Sequence, residues 1–177
     1  MAVAVDVWET IAREAGRESV LWGQALRPDD EREREAVFSP LGKERFALGL
    51  ETIYEGYLLH YGTPRLFAPG DADTALLLGD YLYAHGLVRI AELGDVAAVG
   101  DFAELISLCA QLRADRTNGA GELWAATAAW LGEDGLDEAR AELRDRADVV
   151  PLEALARERV GEGSLETALA AHAARQA

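Results

Sequence analysis

Helix-forming segments separated by clear start and stop signals are the feature that most restricts the fold of this chain. Ala, Leu, Glu and Arg dominate the 177 residues, and all four favour the helix. Strict alternation of apolar and polar residues, as a half-buried strand requires, does not occur in long β-branched runs. Half of the residues are hydrophobic, which is enough for a sizeable core. We therefore predict an all-α fold, a bundle of helices.

The helix boundaries follow from prolines, glycines and capping residues. Pro28 stops the first helix, Ser39 and Pro40 form a start signal, and Gly62 suits a helix end. Asp71 and Asp95 are further N-caps. These signals predict helices over residues 3–26, 40–61, 71–93, 95–115 and 122–131, a short charged helix or turn at 29–37, and a loop at 63–70.

The C-terminal part of the chain has a different composition. From Glu133 onward the sequence becomes highly charged and predicts three short amphipathic helices, separated at 149–151 and 161–163. Ser164 is predicted to cap the last of them. We predict a helical bundle core over 1–132 and a charged helical appendage over 133–177 that packs on it.

The charge balance excludes several classes of partner. Lys and Arg total 17 and Asp and Glu total 32, so the formal net charge is -15. Such a chain repels nucleic acid and anionic membrane surfaces, and no apolar run reaches the roughly 20 residues that span a bilayer. Cys109 has no second cysteine to pair with, and the N-terminus lacks the basic region of a signal peptide. We expect a cytoplasmic protein with no membrane span and no nucleic-acid partner.

The segment 74–88, TALLLGDYLYAHGLV, is unusually poor in charge. Asp80 is its only formally charged residue, and its apolar residues point in nearly every direction around a helix. Such a helix is buried on most sides or supplies an oligomer interface. Gly79 and Gly86 cost helix stability, which a close approach to a neighbouring backbone would explain. Asp80 needs a partner, for which Arg65, Arg89 and backbone groups are candidates.

Two segments resemble one known family. LLLGDYLYAHGLVRIAELGDVAAVGDFAELISLCAQLRAD, together with LETIYEGYLLHYGTP at 50–64, is similar to the middle of trans-type polyprenyl diphosphate synthases. In that family, helices reading close to "IELIHTASLLHDD" and "LAGDYLLARAF" follow one another. The resemblance covers roughly residues 46–115. It implies a bundle like the N-terminal half of the isoprenoid synthase fold.

The chain departs from that family at the metal-binding positions. Where the family has an aspartate-rich motif that binds magnesium, this sequence has Tyr61 and Gly62, which cannot coordinate a hard divalent cation. The second aspartate-rich motif has no counterpart. The resemblance therefore implies a non-catalytic partner or regulatory subunit, without metal or cofactor. It would pair with itself as a homodimer or with a catalytic prenyl synthase, and it could hold a prenyl chain.

The candidate pocket lies between the helices predicted to end at Tyr61 and to start at Asp71. In the family these helices line the site of the growing prenyl chain, so the resemblance places five residues around it: Tyr57, His60, Tyr61, Arg65 and Asp80. We expect either a narrow, mostly apolar cleft, which we favour slightly, or a space filled by aromatic side chains.

Two other interpretations stay open. The chain could be an unrelated helical small-ligand-binding or scaffolding protein. More weakly, it could be an enzyme that uses a pocket around His60, Arg65 and Asp80. A phosphate-binding loop, a GxSxG motif and an HExxH motif are all missing from the sequence. Cys109 lies in an apolar stretch and is expected to be a buried, inert thiol.

Overall fold

The computed structural model describes residues 6–176 and confirms the all-α fold. Nine α-helices and no strand occur within that range. In chain order the helices are α1 Val7–Glu18, α2 Val20–Ala25, α3 Ala47–Tyr61, α4 Ala72–Glu92, α5 Val96–Asp115, α6 Ala120–Trp130, α7 Asp137–Arg146, α8 Val150–Val160 and α9 Glu162–Ala174.

Capping residues set the bounds of the two longest helices, as the sequence predicts. The Asp71 carboxylate accepts a hydrogen bond from the backbone N–H of Thr74 at 2.7 Å and starts α4. The Asp95 carboxylate accepts from the N–H of Ala98 at 3.0 Å and starts α5. Both satisfy N–H groups that the first helical turn leaves free.

The predicted helix at 3–26 is two helices, because Ser19 interrupts it. Ser19 is extended, with φ -149° and ψ 137°, and its hydroxyl accepts from the N–H of Leu21 at 3.1 Å. The extended backbone of Ser19 thus ends α1, and its hydroxyl caps α2. Residues 3–5 of the predicted helix lie outside the described range.

The helix predicted over 40–61 begins only at Ala47. Ser39–Leu41 and Glu44–Phe46 form separate 3-10 turns, and Gly42 between them is extended. A Cβ at Gly42 would lie 2.6 Å from the carbonyl oxygen of Ala128 on α6, so a residue without a side chain suits this close approach to α6. The predicted cap Ser164 is also wrong, since α9 begins at Glu162 after Gly161.

Helix α3 is the centre of the molecule, and every residue from 49 to 59 is buried.

The expectation that the Asp80 helix, α4, is buried on most sides is wrong for the single chain. In α4 only Leu78, Gly79, Leu82, Gly86 and Ile90 are buried. The opposite side of α4 faces outward because α3 occupies the centre and α4 flanks it.

Two apolar clusters fill the interior. The larger one surrounds α3, α5 and α6, and helices α7 to α9 contribute buried side chains to it, including Leu143, Leu152 and Leu165. The smaller one lies beneath α1 and α2, where Ile11 and Ala15 pack on the α3–α4 pair. The C-terminal helices therefore share the core of the preceding residues.

Candidate functional site

Helices α3 and α4 touch each other through their backbones. A Cβ at Gly56 would lie 2.9 Å from the carbonyl oxygen of Gly79, and a Cβ at Gly86 would lie 3.1 Å from the carbonyl oxygen of Gly49. The glycines on each helix are seven residues apart, so two turns of each helix bring both into contact. The predicted close approach thus explains the glycines of α4. The same contact brings α3 and α4 together in the region where we expected a narrow, mostly apolar cleft.

His60 and Asp80 lie together at the end of this contact. His60 Nε2 is 3.2 Å from Asp80 Oδ1, although the pair lacks the angle of a hydrogen bond. The His60 ring stacks on Tyr83 with centroids 5.0 Å apart, and it covers the position where Gly79 has no side chain. Burial lowers the pKa of His60, and the nearby Asp80 carboxylate opposes that effect. Asp80 itself is 65% exposed.

Tyr57 and Tyr61 continue this group of rings along α3. Their centroids are 5.2 Å apart, and those of His60 and Tyr61 are 5.5 Å apart. Four of the five predicted pocket residues are thus neighbours: Tyr57, His60, Tyr61 and Asp80. They form a packed row of side chains in which aromatic rings fill the space.

Arg65, the fifth predicted residue, lies elsewhere. Its side chain is fully buried and pairs with Glu51 at 2.6 Å and with Glu55 at 3.0 Å. His60 follows Glu51 by nine residues, about two and a half helical turns, so the two lie on opposite faces of α3. Arg65 is therefore a partner of these glutamates and not of Asp80. Arg89, the other candidate cation, pairs with Glu14 of α1.

The arrangement around Arg65 is saturated with hydrogen bonds. The Glu55 carboxylate also accepts from the backbone N–H groups of Arg65 and Leu66, at 2.9 and 2.7 Å. Arg65 donates to the carbonyl oxygen of Glu35 as well. Burial opposes the charged guanidinium, but the two glutamates raise the pKa of Arg65 above its ordinary value. These hydrogen bonds hold two loops against α3. The donors and acceptors of the cluster are occupied and are not available for chemistry.

A cavity of about 500 Å³ opens beside the C-terminal end of α3. It lies where the C-terminal ends of α3, α5 and α9 meet the first turn of α6. Of the predicted pocket residues, Tyr57 lines it. The remaining walls include Arg113, Glu122, His172 and Gln176 as polar side chains, with Leu112 and Leu169 as apolar ones.

His172 is anchored in the core next to this cavity. Its Nδ1 lies 2.9 Å from the Tyr54 hydroxyl, and the rings of Phe38 and Tyr57 pack against it with centroids 5.4 and 5.7 Å away. Burial lowers the pKa of His172 to about 4, and Arg113 adds to that effect. The imidazole is therefore neutral at pH 7.

Sequence reasoning missed this cavity because its walls are far apart along the chain. Tyr54 and His172 are separated by 118 residues. One signal was available: Gly119 and Gly121 begin a helix without a Ser, Thr, Asp or Asn cap.

Cys109 is buried, as predicted. Burial raises the pKa of its thiol to about 12, so the thiolate that would act as a nucleophile is not populated at pH 7.

The outer surfaces of α4 and α5 form a second feature of functional interest. We call this surface the α4–α5 face and define it by its exposed apolar residues: Leu76, Leu77, Ala84, Val88 and Ala91 of α4, with Val96, Ala103 and Ala110 of α5. Leu77 is 55% exposed, Val88 52% and Val96 84%. Contiguous apolar surface of this kind marks interaction sites.

Residues 6–176 contain neither a cluster of metal ligands nor a membrane-spanning helix. In that range no group of three or more His, Cys, Asp and Glu side chains is arranged to hold a metal ion. None of the helices there is long and apolar enough to cross a bilayer.

Comparison with known proteins returned no similar family, protein or structure. No protein-family model, no curated protein and no solved structure matches this chain.

Proposed function

We propose that this chain is a non-catalytic helical protein that functions by pairing, and that the α4–α5 face binds a second copy of the chain. The observation that carries the proposal is the exposure of large apolar side chains on adjacent helices, with Leu76, Leu77 and Val88 each more than half exposed. Water contact with such side chains is unfavourable, and covering them stabilises an assembly.

The charge distribution favours a second copy as the partner. The chain carries a net charge of -15, so most self-contacts would bring carboxylates together. The α4–α5 face offers an alternative, because a twofold axis places the same apolar patch on both sides. On α5, Glu104 is paired with Arg144 and Asp101 is buried against Arg140. The exposed carboxylates of α4 are Asp73, Asp80 and Glu92.

The geometry of the two helices also suits a symmetric contact. Residues 93–95 connect α4 directly to α5, and the two helices contact each other. Two such pairs can form a four-helix arrangement across a twofold axis. The exposed positions of α5 include Gly100, Ala103, Ser107 and Ala110, and small side chains let a facing helix approach closely.

The resemblance to polyprenyl diphosphate synthases supports the non-catalytic part of the proposal. Tyr61 lies half-buried between Tyr57 and His60, in a row of aromatic side chains, at the position where the family has metal-binding carboxylates. In this proposal the chain is a relative of those enzymes that has lost metal chemistry. Binding to a catalytic synthase, in place of a second copy, is the alternative partner that the same face would accommodate.

Sedimentation equilibrium of the pure protein tests the self-pairing. The expected result is a mass that rises with concentration from 19.1 kDa toward twice that value. A mass that stays at the single-chain value up to about 100 µM, roughly -5.5 kcal/mol of association free energy, contradicts pairing with itself. Sedimentation of that monomer mixed with a catalytic synthase then tests whether the synthase is the partner.

A further inference from the structure

Several hydrogen-bond donors at the α6 cavity lack an acceptor. His172 is 5% exposed, and its Nδ1 contacts the Tyr54 hydroxyl. Within residues 6–176 that hydroxyl has no other acceptor, so Tyr54 donates to Nδ1. The imidazole proton then sits on Nε2, and this N–H makes no hydrogen bond within the described chain. His172 lines the cavity, so this N–H is available to a ligand that supplies an acceptor.

Gln176 has the same property. Its Oε1 accepts from the Tyr57 hydroxyl and from Arg113 Nη2, both at 3.3 Å. These two donors fix the orientation of the amide, and Nε2 is buried without a partner among the described residues. The contact also holds Arg113, which donates to the carbonyl oxygen of Tyr61, at the edge of the cavity.

The first turn of α6 adds backbone donors. Gly119 precedes this helix, and no side chain caps it, so the N–H groups at its start are free of intrahelical acceptors. The imidazole edge of His172 lies against the same turn. A Cβ added to Gly121 would be only 3.1 Å from Cδ2 of His172. The helix dipole makes this end of α6 partly positive.

The remaining walls are partly apolar, and Thr117 and Asn118 add polar side chains. Leu112, Leu169, Ala173 and the buried Cys109 line the cavity away from these donors. Glu122 is the carboxylate among its lining residues, and it opposes an anion. The cavity therefore combines an electropositive, donor-rich end with an apolar wall, as small-ligand sites commonly do.

We propose that this cavity binds a small amphipathic anion, with its oxyanion head at the start of α6 and its apolar part against Leu112 and Leu169. The head is a carboxylate or a phosphate, since both accept several hydrogen bonds and carry negative charge. Arg113, the N–H groups of the first α6 turn and the Nε2–H of His172 bind the head. This site is separate from the α4–α5 face and does not depend on pairing.

Calorimetric titration of the pure protein with octanoate, hexyl phosphate and inorganic phosphate tests the proposal. Binding of octanoate or of hexyl phosphate is expected, and the preference between them identifies the head group. Inorganic phosphate should bind more weakly than hexyl phosphate because it lacks the apolar part. If none of the three binds at millimolar concentration, the proposal is wrong.

Two substitutions with opposite effects separate this site from non-specific binding. Arg113→Gln removes a cation and should weaken binding about tenfold, whereas Glu122→Gln removes a competing carboxylate and should strengthen it about threefold. The matched control Arg144→Gln alters an exposed arginine outside the cavity and should leave binding unchanged. Thermal unfolding checks that each variant folds. Equal affinities in Arg113→Gln, Glu122→Gln and the unaltered chain would overturn the assignment.

Discussion

Arg65 shows how much a single side chain can contribute to this structure. Its guanidinium has no exposed surface and faces two buried carboxylates, Glu51 and Glu55. The sequence offered a partial signal, because Glu51 and Glu55 are four residues apart in a segment that is otherwise apolar. The loop that delivers Arg65 to them could not be predicted, since a loop conformation depends on contacts distant in sequence.

Replacement of this arginine should be strongly destabilising. Arg65→Met leaves two buried carboxylates without their cation, which should lower the free energy of unfolding by about 3–5 kcal/mol. The control Arg144→Met breaks an exposed pair with Glu104 and should cost less than about 1 kcal/mol. Urea unfolding measures both. Similar losses in the two variants would mean that the buried cluster contributes no more than a surface pair.

His172 should make stability depend on pH. Burial holds its pKa at about 4 in the folded protein, below the ordinary value of 6.5. The unfolded chain therefore binds a proton at a higher pH than the folded chain does, and stability falls as the pH drops from 6.5 toward 4. Between pH 7 and pH 5 the loss from this group should be about 2 kcal/mol.

The variant His172→Phe isolates that contribution. It should be less stable at pH 7, because the Tyr54 hydroxyl loses its acceptor, but its stability should change less between pH 7 and pH 5. Urea unfolding at the two pH values gives the comparison. An equally steep pH dependence in the variant would show that other groups are responsible.

At the scale of helices, local signals predicted the bounds of α4 and α5 well and those of α1 and α3 poorly. Asp71 and Asp95 are good caps in any context, so the sequence sufficed. Ser19 is also a cap, but it lies inside a continuous helical pattern and its role depends on how α2 turns back. Two separate 3-10 turns at Ser39–Leu41 and Glu44–Phe46 precede the late start of α3, and the local signals did not distinguish them from a continuous helix.

The contact between α3 and α4 predicts opposite effects for two helical glycines. Gly56→Ala places a Cβ 2.9 Å from the carbonyl oxygen of Gly79, and we expect a loss of about 1–3 kcal/mol in the free energy of unfolding. Gly100→Ala on α5 meets nothing within 4 Å and should stabilise the helix by up to about 1 kcal/mol. Thermal unfolding measures both, and stabilisation by Gly56→Ala would contradict the close contact.

At the scale of the whole molecule, the resemblance to polyprenyl diphosphate synthases predicts a protein without prenyl transferase activity. Ionisation of an allylic diphosphate in that family requires magnesium held by carboxylates, and Tyr61 and Gly62 stand at those positions. Incubation of the pure protein with allylic and homoallylic diphosphates and magnesium should give no longer product. Product that depends on magnesium would contradict the non-catalytic proposal.

The candidate site shows the same division between local and distant information. The resemblance placed Tyr57, His60, Tyr61 and Asp80 around one site, and α3 and α4 bring these four side chains together. It failed for Arg65, whose direction from a loop is set by buried glutamates. It did not reveal the α6 cavity, because α9 returns to the centre of the bundle from the far end of the chain.

The pairing of two chains through the α4–α5 face is tested most directly by two matched substitutions of exposed valines. Val88 lies within the face and Val150 outside it, and they are 52% and 64% exposed. Val88→Arg would place a charge in the contact and should weaken dimerisation at least about tenfold, roughly 1.4 kcal/mol, in sedimentation equilibrium. Val150→Arg should leave the dissociation constant unchanged. Equal dissociation constants for the two variants would contradict the assignment of this face.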